Sequence, residues 1–381
     1  MSEQIVSDLE AAHDYRDQLL ERLNTDDPAS YVLPVERLDE AVEFIKGQYP
    51  GLDFTDTELK SKLAELSAAG VSRHESDMGE LRSEVERIAN NIGYKLHGGV
   101  SMGVIHGAGV KAIQQKVMLT EASVIFMTRH LSTLIYRLAK LLARTLPQDV
   151  DVDGNKSIVW SLDEVKEVLY ADRQLQQDWD FFFMDYSIDP DCPSVGEARK
   201  VESSDEAHLV FDLCESMEWF VLSHEYGHHI MQHSLDGVAG VQGEEHELAK
   251  GKECQADLIG AHICMALGAQ NNRGLNFTAM FNIGAVVILT TLDCIMRGRS
   301  IVRSGSDDGF SHSNTHPPLD YRLGAISFML RHIYKEEKPD AMKEVQWALS
   351  MQSSAKKLIE YIWGHSKKYL EKCYLHGIRS Q

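Results

Sequence analysis

Residues 223–229 read Ser-His-Glu-Tyr-Gly-His-His and contain the pattern H-E-x-x-H. On a helix, side chains four apart lie one turn apart on the same face. His224 and His228 could therefore aim both imidazoles at one ion. Glu225 projects about a hundred degrees round the helix, close enough to hold a water without being a ligand. Zinc hydrolysis needs this arrangement. Leu213, Met217, Phe220 and Val221 share a stripe with His224 and His228, so the two histidines are expected to continue a buried face. The competing reading is two helical histidines with a salt-bridging glutamate between them. His229 and His233 are also four apart, but Ile230 occupies the base position. That pair is expected at the surface or in packing.

Two histidines leave a zinc ion short of a third ligand. Glu253 and Asp257 follow on what reads as a second helix, four apart and on one face. That face continues through Ala256, Gly260, Ala261 and Cys264, all small enough for close approach to the histidine helix. Glu253 could supply the third ligand. Asp257, one turn on, could accept an N–H from a zinc-bound histidine and fix its tautomer. A metzincin would need Gly at 231 and His at 234; Met231 and Ser234 exclude that class.

H-E-x-x-H followed by E-x-x-A-D resembles the gluzincin class of zinc metallopeptidases. Thr315-His316-Pro317-Pro318-Leu319-Asp320-Tyr321-Arg322-Leu323 is similar to the H-P-P-x-x-x-R element of the CAAX-prenyl-protease and heat-shock-protease family. The resemblance covers roughly residues 205–335. It implies an endopeptidase acting on a protein or peptide substrate, with zinc on His224, His228 and Glu253 and with Glu225 as base. It places His316 and Arg322 at the active site. His316 is the first candidate for a second oxyanion donor, ahead of Tyr321 and Arg322; a histidine fixing the turn before Pro317 is the competing reading. The alternative function is a regulatory or sensor protein that keeps the zinc site and works through its N-terminal helices.

Asp149, Asp151, Asp153 and Gly154 form D-x-D-x-D-G, as in a calcium loop. Trp160 stands where that loop needs a bidentate Glu, so an acidic turn competes with a Ca²⁺ site. The stretch His97–Gly109 is Gly-rich but lacks a P-loop ending and is expected to be a connector.

The elements that must position these groups read mostly as helices. Residues 1–90 are acidic with helical periodicity. Val117–Leu146 is strongly periodic, through Leu131, Leu134, Ile135, Leu138, Leu141 and Leu142, and ends at Pro147. Ser161 with Glu164 reads as a capping box. Phe181–Ile188 suggests a short strand, and Asp205 a cap for a helix reaching about His233. Loops are expected at 236–252 and 304–314, the latter a flap or a plain surface loop. After Pro318 the chain reads as helix in three pieces. The expected fold is mainly α, of an α+β zincin type: a helical core with at most a small sheet. Residues 1–147 would form a helical regulatory or specificity region, 148–338 the peptidase domain and 339–381 C-terminal helices packing on it.

With 381 residues the chain can bury a sizeable core without cross-links. A net charge of −20 with scattered basic residues argues against nucleic-acid binding. Six cysteines without a C-x-x-C pair read as reduced thiols. The first residues show no positive region followed by an apolar stretch, so no secretory signal and a cytoplasmic location are expected. Gly274–Leu292 carries no charge, but Asn276, Asn282 and its threonines favour a core helix over a membrane span. Oligomeric state stays open.

Overall fold

A computed structural model describes residues 2–23, 33–48, 55–69, 73–105, 109–150, 156–158, 161–189, 191–192, 201, 203–233, 244–270, 277–307, 317–337 and 342–378. The fold is mainly α, as expected, with one small sheet and one hairpin. Four helices open the chain: α1 (Ser2–Leu23), α2 (Leu38–Gln48), α3 (Asp56–Ala69) and α4 (Arg73–Asn91). Strands β1 (Val100–Ile105), β2 (Ala112–Lys116) and β3 (Ser123–Thr128) follow, then α5 (Arg129–Thr145). The hairpin β4 (Gln148–Val150) and β5 (Lys156–Ile158) leads to α6 (Leu162–Ala171) and α7 (Arg173–Ile188). The long helices α8 (Ser204–Ile230) and α9 (Glu244–Gln270) come next. The short α10 (Phe277–Met280), α11 (Ile283–Ser304), α12 (Leu319–Glu337) and α13 (Met342–Leu375) complete the chain.

The sheet order is β1-β3-β2, with β1 parallel and β2 antiparallel to β3. Every residue of β3 is buried. Val124 and Phe126 pack with Ala12 of α1, while Ile125 and Met127 join the main core. A strand covered on both faces shows a continuous apolar run rather than alternation. That run corrects the expectation of one helical segment from Val117: the helix proper starts at Arg129. The connector expected over His97–Gly109 likewise contains β1. The main core is continuous from Met78 of α4 to Leu370 of α13, and a small separate cluster holds α2 against α3.

Three further expectations change. Phe181–Ile188 is helix, not strand, because Leu175, Trp179, Phe182, Phe183 and Tyr186 are buried at helical spacing while Phe181 is exposed. Asp172 starts this helix by accepting the Leu175 N–H. Ser203, not Asp205, caps α8, its hydroxyl accepting the Glu206 N–H at 3.1 Å. Ser161 does precede α6, but its side chain makes no capping bond. The segment after Pro318 forms two helices among the described residues, not three pieces. The uncharged stretch near 283–292 is the buried first half of α11, and no helix among the described residues is long and apolar enough to cross a membrane. All six cysteines are free thiols.

Candidate metal centre

The motif occupies the last two turns of α8, where it crosses α9. Small residues allow the crossing. A Cβ on Gly227 would lie 2.8 Å from Ala256 Cα, and one on Gly260 would lie 3.0 Å from the His224 backbone nitrogen. This backbone-to-backbone approach brings α9 carboxylates to the α8 imidazoles, as the small-residue face predicted.

His224 Nε2 and His228 Nε2 lie 3.2 Å apart. Glu253 Oε2 is 3.6 Å from His224 Nε2, and Glu253 Oε1 is 3.3 Å from His228 Nε2. One donor atom from each residue falls within 4.8 Å of the others, and all three residues are buried. This group could hold a metal ion.

The surroundings orient the donors. His224 Nδ1 donates to Asp257 Oδ1 at 2.9 Å, as the spacing suggested. Arg322 holds both Asp257 oxygens, at 2.8 and 2.7 Å. Burial would raise the Asp257 pKa, but the Arg322 charge and the hydrogen bonds from Arg322 and His224 outweigh it and keep the carboxyl below its ordinary value. Burial pulls the His224 pKa down, yet the bonds to Asp257 and Glu253 hold it up at about 10 without a metal. Glu225 is buried, and its pKa is raised chiefly by loss of solvent, with the nearby imidazoles pulling the other way.

Two supports escaped the sequence reading. The first is β2. Thr128 N–H donates to Lys111 O and Val117 N–H to Ala122 O, each at 3.0 Å, so odd-numbered residues of β2 face β3. The N–H and C=O groups of Ala112 and Gln114 then point to the open edge. The Gln114 N–H reaches the Glu225 carboxylate. A backbone donor leaves no side-chain signal in a sequence. The second support is His233. Helix α8 ends at Ile230, and Gln232 takes a left-handed conformation with φ 52°. His233 N–H bonds His228 O and Gln232 N–H bonds His229 O, both at 2.9 Å, the paired bonds of a Schellman turn. The turn folds His233 back onto His228, their Nδ1 atoms 3.0 Å apart, and His233 Nε2 meets Gln255 Oε1 at 3.0 Å. His229 is buried elsewhere, bonded to Ser123 Oγ and Leu96 O. The pair expected at the surface or in packing thus splits: His229 packs under the sheet, and His233 joins the centre.

Beside His224 and Glu225 opens a cavity of about 500 Å³. Its walls include Leu131 and Leu134 of α5, Phe220 and Val221 of α8, and Ile288 and Leu289 of α11, with residues 110–113 along one side. Arg322 also lines it; Tyr321 does not and is largely exposed. His316 lies outside the described residues, as do Asp151 and Asp153; Asp149 is in β4, where only the backbone is described. Of the loops predicted at 236–252 and 304–314, residues 236–243 and 308–314 also lie outside, while residues 244–252 are helix, the start of α9, and not loop.

No known family, curated protein or solved structure matches this chain.

Proposed function

We propose that this protein is a zinc-dependent endopeptidase of the gluzincin type, acting on a protein or peptide substrate. The observation that carries the reading is the convergence of His224, His228 and Glu253 on one buried point, with Glu225 beside it at the head of an apolar cavity. The donor set fits zinc. Tetrahedral zinc with bonds of about 2.0–2.2 Å spaces its N and O ligands about 3.3–3.5 Å apart. Here the two Nε2 atoms are 3.2 Å apart, and the carboxylate straddles them, Glu253 Oε1 at 3.3 Å from His228 Nε2 and Oε2 at 3.6 Å from His224 Nε2. Two imidazoles and one carboxylate also leave a fourth position for water.

Zinc, when bound, supplies a Lewis acid that brings the pKa of water to about 7. Glu225 takes the proton of the attacking water and delivers it to the leaving amine nitrogen. Burial raises the basicity of its carboxylate, and the Gln114 backbone amide tempers that rise. The open edge of β2 offers the Ala112 N–H and C=O and the Gln114 C=O to an extended peptide. The cavity takes one of that peptide's apolar side chains and excludes water around the scissile bond.

The test is to purify wild type and Glu225→Gln side by side, measure bound zinc and search for new protein termini in cells expressing each. Equal zinc with termini generated only by the wild type supports the reading. Wild type without zinc, or identical termini from both, refutes it; zinc without cleavage points to a regulatory or sensor protein.

A further inference from the structure

The proposed centre needs both imidazoles to present an unprotonated Nε2, and the structure supplies a separate device for each. For His224 it is Asp257. For His228, we propose that His233 and Gln255 form a positioning relay that fixes the Nδ1–H tautomer and frees Nε2 for the metal. This inference rests on the reading of the site as a metal centre.

The relay follows from which atoms can donate. Gln255 Oε1 only accepts, so the His233 nitrogen 3.0 Å away, Nε2, carries the proton. A neutral imidazole has a single N–H, which leaves a lone pair on His233 Nδ1. The proton between the two Nδ1 atoms, 3.0 Å apart, therefore belongs to His228. His228 Nε2 then has no proton and faces Glu253 Oε1 and His224 Nε2, at 3.3 and 3.2 Å.

The backbone is built to make this contact. On a continued helix His233 would sit five residues beyond His228 and off its face. The left-handed Gln232 reverses the chain instead, in a conformation that is strained for a residue with a Cβ. Gln232 Nε2 donates to His229 O and to Glu121 O, at 3.0 and 3.2 Å, and so braces the turn. Gln255 stands two residues after Glu253 on α9. One helix thus carries a candidate ligand, the partner of His224 and the far end of the relay to His228.

The test measures zinc affinity by competition with a chelator, so it does not depend on hydrolysis. His233→Leu removes the acceptor for His228 and should weaken zinc binding about 10–100-fold, the usual loss when an outer partner is removed. His233→Asn places a carbonyl oxygen near the lost Nδ1 and should restore most of the affinity. A metal-free melting temperature near wild type shows that the loss is not unfolding. Should His233→Leu fail to fold, Gln255→Leu serves: Gln255 is exposed, and a loss of about 3–10-fold is expected because water partly replaces the amide. Wild-type affinity in His233→Leu, no recovery in His233→Asn, or wild-type affinity in Gln255→Leu would each overturn the relay. A wild type that binds no zinc would instead overturn the proposed function itself.

Discussion

Arg322 grips Asp257 through two hydrogen bonds, Nε to Oδ2 at 2.8 Å and Nη2 to Oδ1 at 2.7 Å. Asp257 is fully buried and also accepts from His224. A guanidinium on α12 therefore orients an imidazole on α8 through a carboxylate on α9. The same Nη2 lies 4.0 Å from Glu253 Oε2, so one cation balances both buried acids of α9. Planar, two-pronged donation gives Arg322 a geometric role that a point charge could not fill.

Arg322→Ala strands the Asp257 charge in the interior. A loss of about 3–5 kcal/mol in unfolding free energy is expected, the range for breaking one side of a buried pair. Arg322→Lys should recover only part of it, since one ammonium cannot match the fork. Urea unfolding of the three proteins measures this; a change within about 1 kcal/mol for Arg322→Ala would show that the pair is not what holds α12 to α9.

Gly227→Ala should separate the two ligand helices. The new Cβ would meet Ala256 backbone atoms at 2.8 Å, and backbone cannot swing aside. A net cost of about 1–3 kcal/mol and weaker zinc binding are expected, despite the roughly 1 kcal/mol that Ala gains over Gly in a helix. Gly324→Ala on α12 is the control: nothing lies within 4 Å of its Cβ, so it should be neutral or stabilising. Equal behaviour of the two variants would contradict the close crossing.

Acid should weaken the fold through His229. Burial pushes its pKa from the ordinary 6.5 down to about 4. Between those values the unfolded chain binds a proton that the folded protein does not. Its contribution is fully present above pH 6.5 and is lost as pH falls towards 4, at up to about 1.4 kcal/mol per pH unit. His229→Gln should be less stable at neutral pH but show a shallower acid slope in urea unfolding at pH 7, 6 and 5. An unchanged slope would remove His229 as a source of acid sensitivity.

Under the proposed peptidase reading, narrowing the cavity should change which peptides are cut. Val221→Phe fills space in the cavity that Leu289 and Glu225 also line. If the cavity holds a substrate side chain, kcat/KM for peptides with a large apolar residue should fall by about 10–200-fold, with peptides carrying Ala there spared. Parallel losses on both peptide sets would mean that the cavity does not select.

The cluster that could hold a metal was legible because its geometry is local. Four-residue spacing on a helix sets His224 beside His228 and Glu253 beside Asp257 whatever surrounds them, and the small face of α9 announced the close crossing. The mainly helical class was legible for the same reason of period. Beyond that, long-range packing decided. Phe181–Ile188 is apolar enough for either state, and only burial against the core selects helix. The fully covered β3 hides its alternation because both faces are dry. Gln232 carries no glycine signal for a left-handed turn, so nothing local told that His233 doubles back onto His228. The Gln114 amide that acts on Glu225 belongs to the backbone, and every residue type except proline has one. Composition and spacing named the candidate ligands; only the tertiary fold chose their hydrogen-bond partners, because those depend on segments distant in the chain or on a backbone reversal with no local signal.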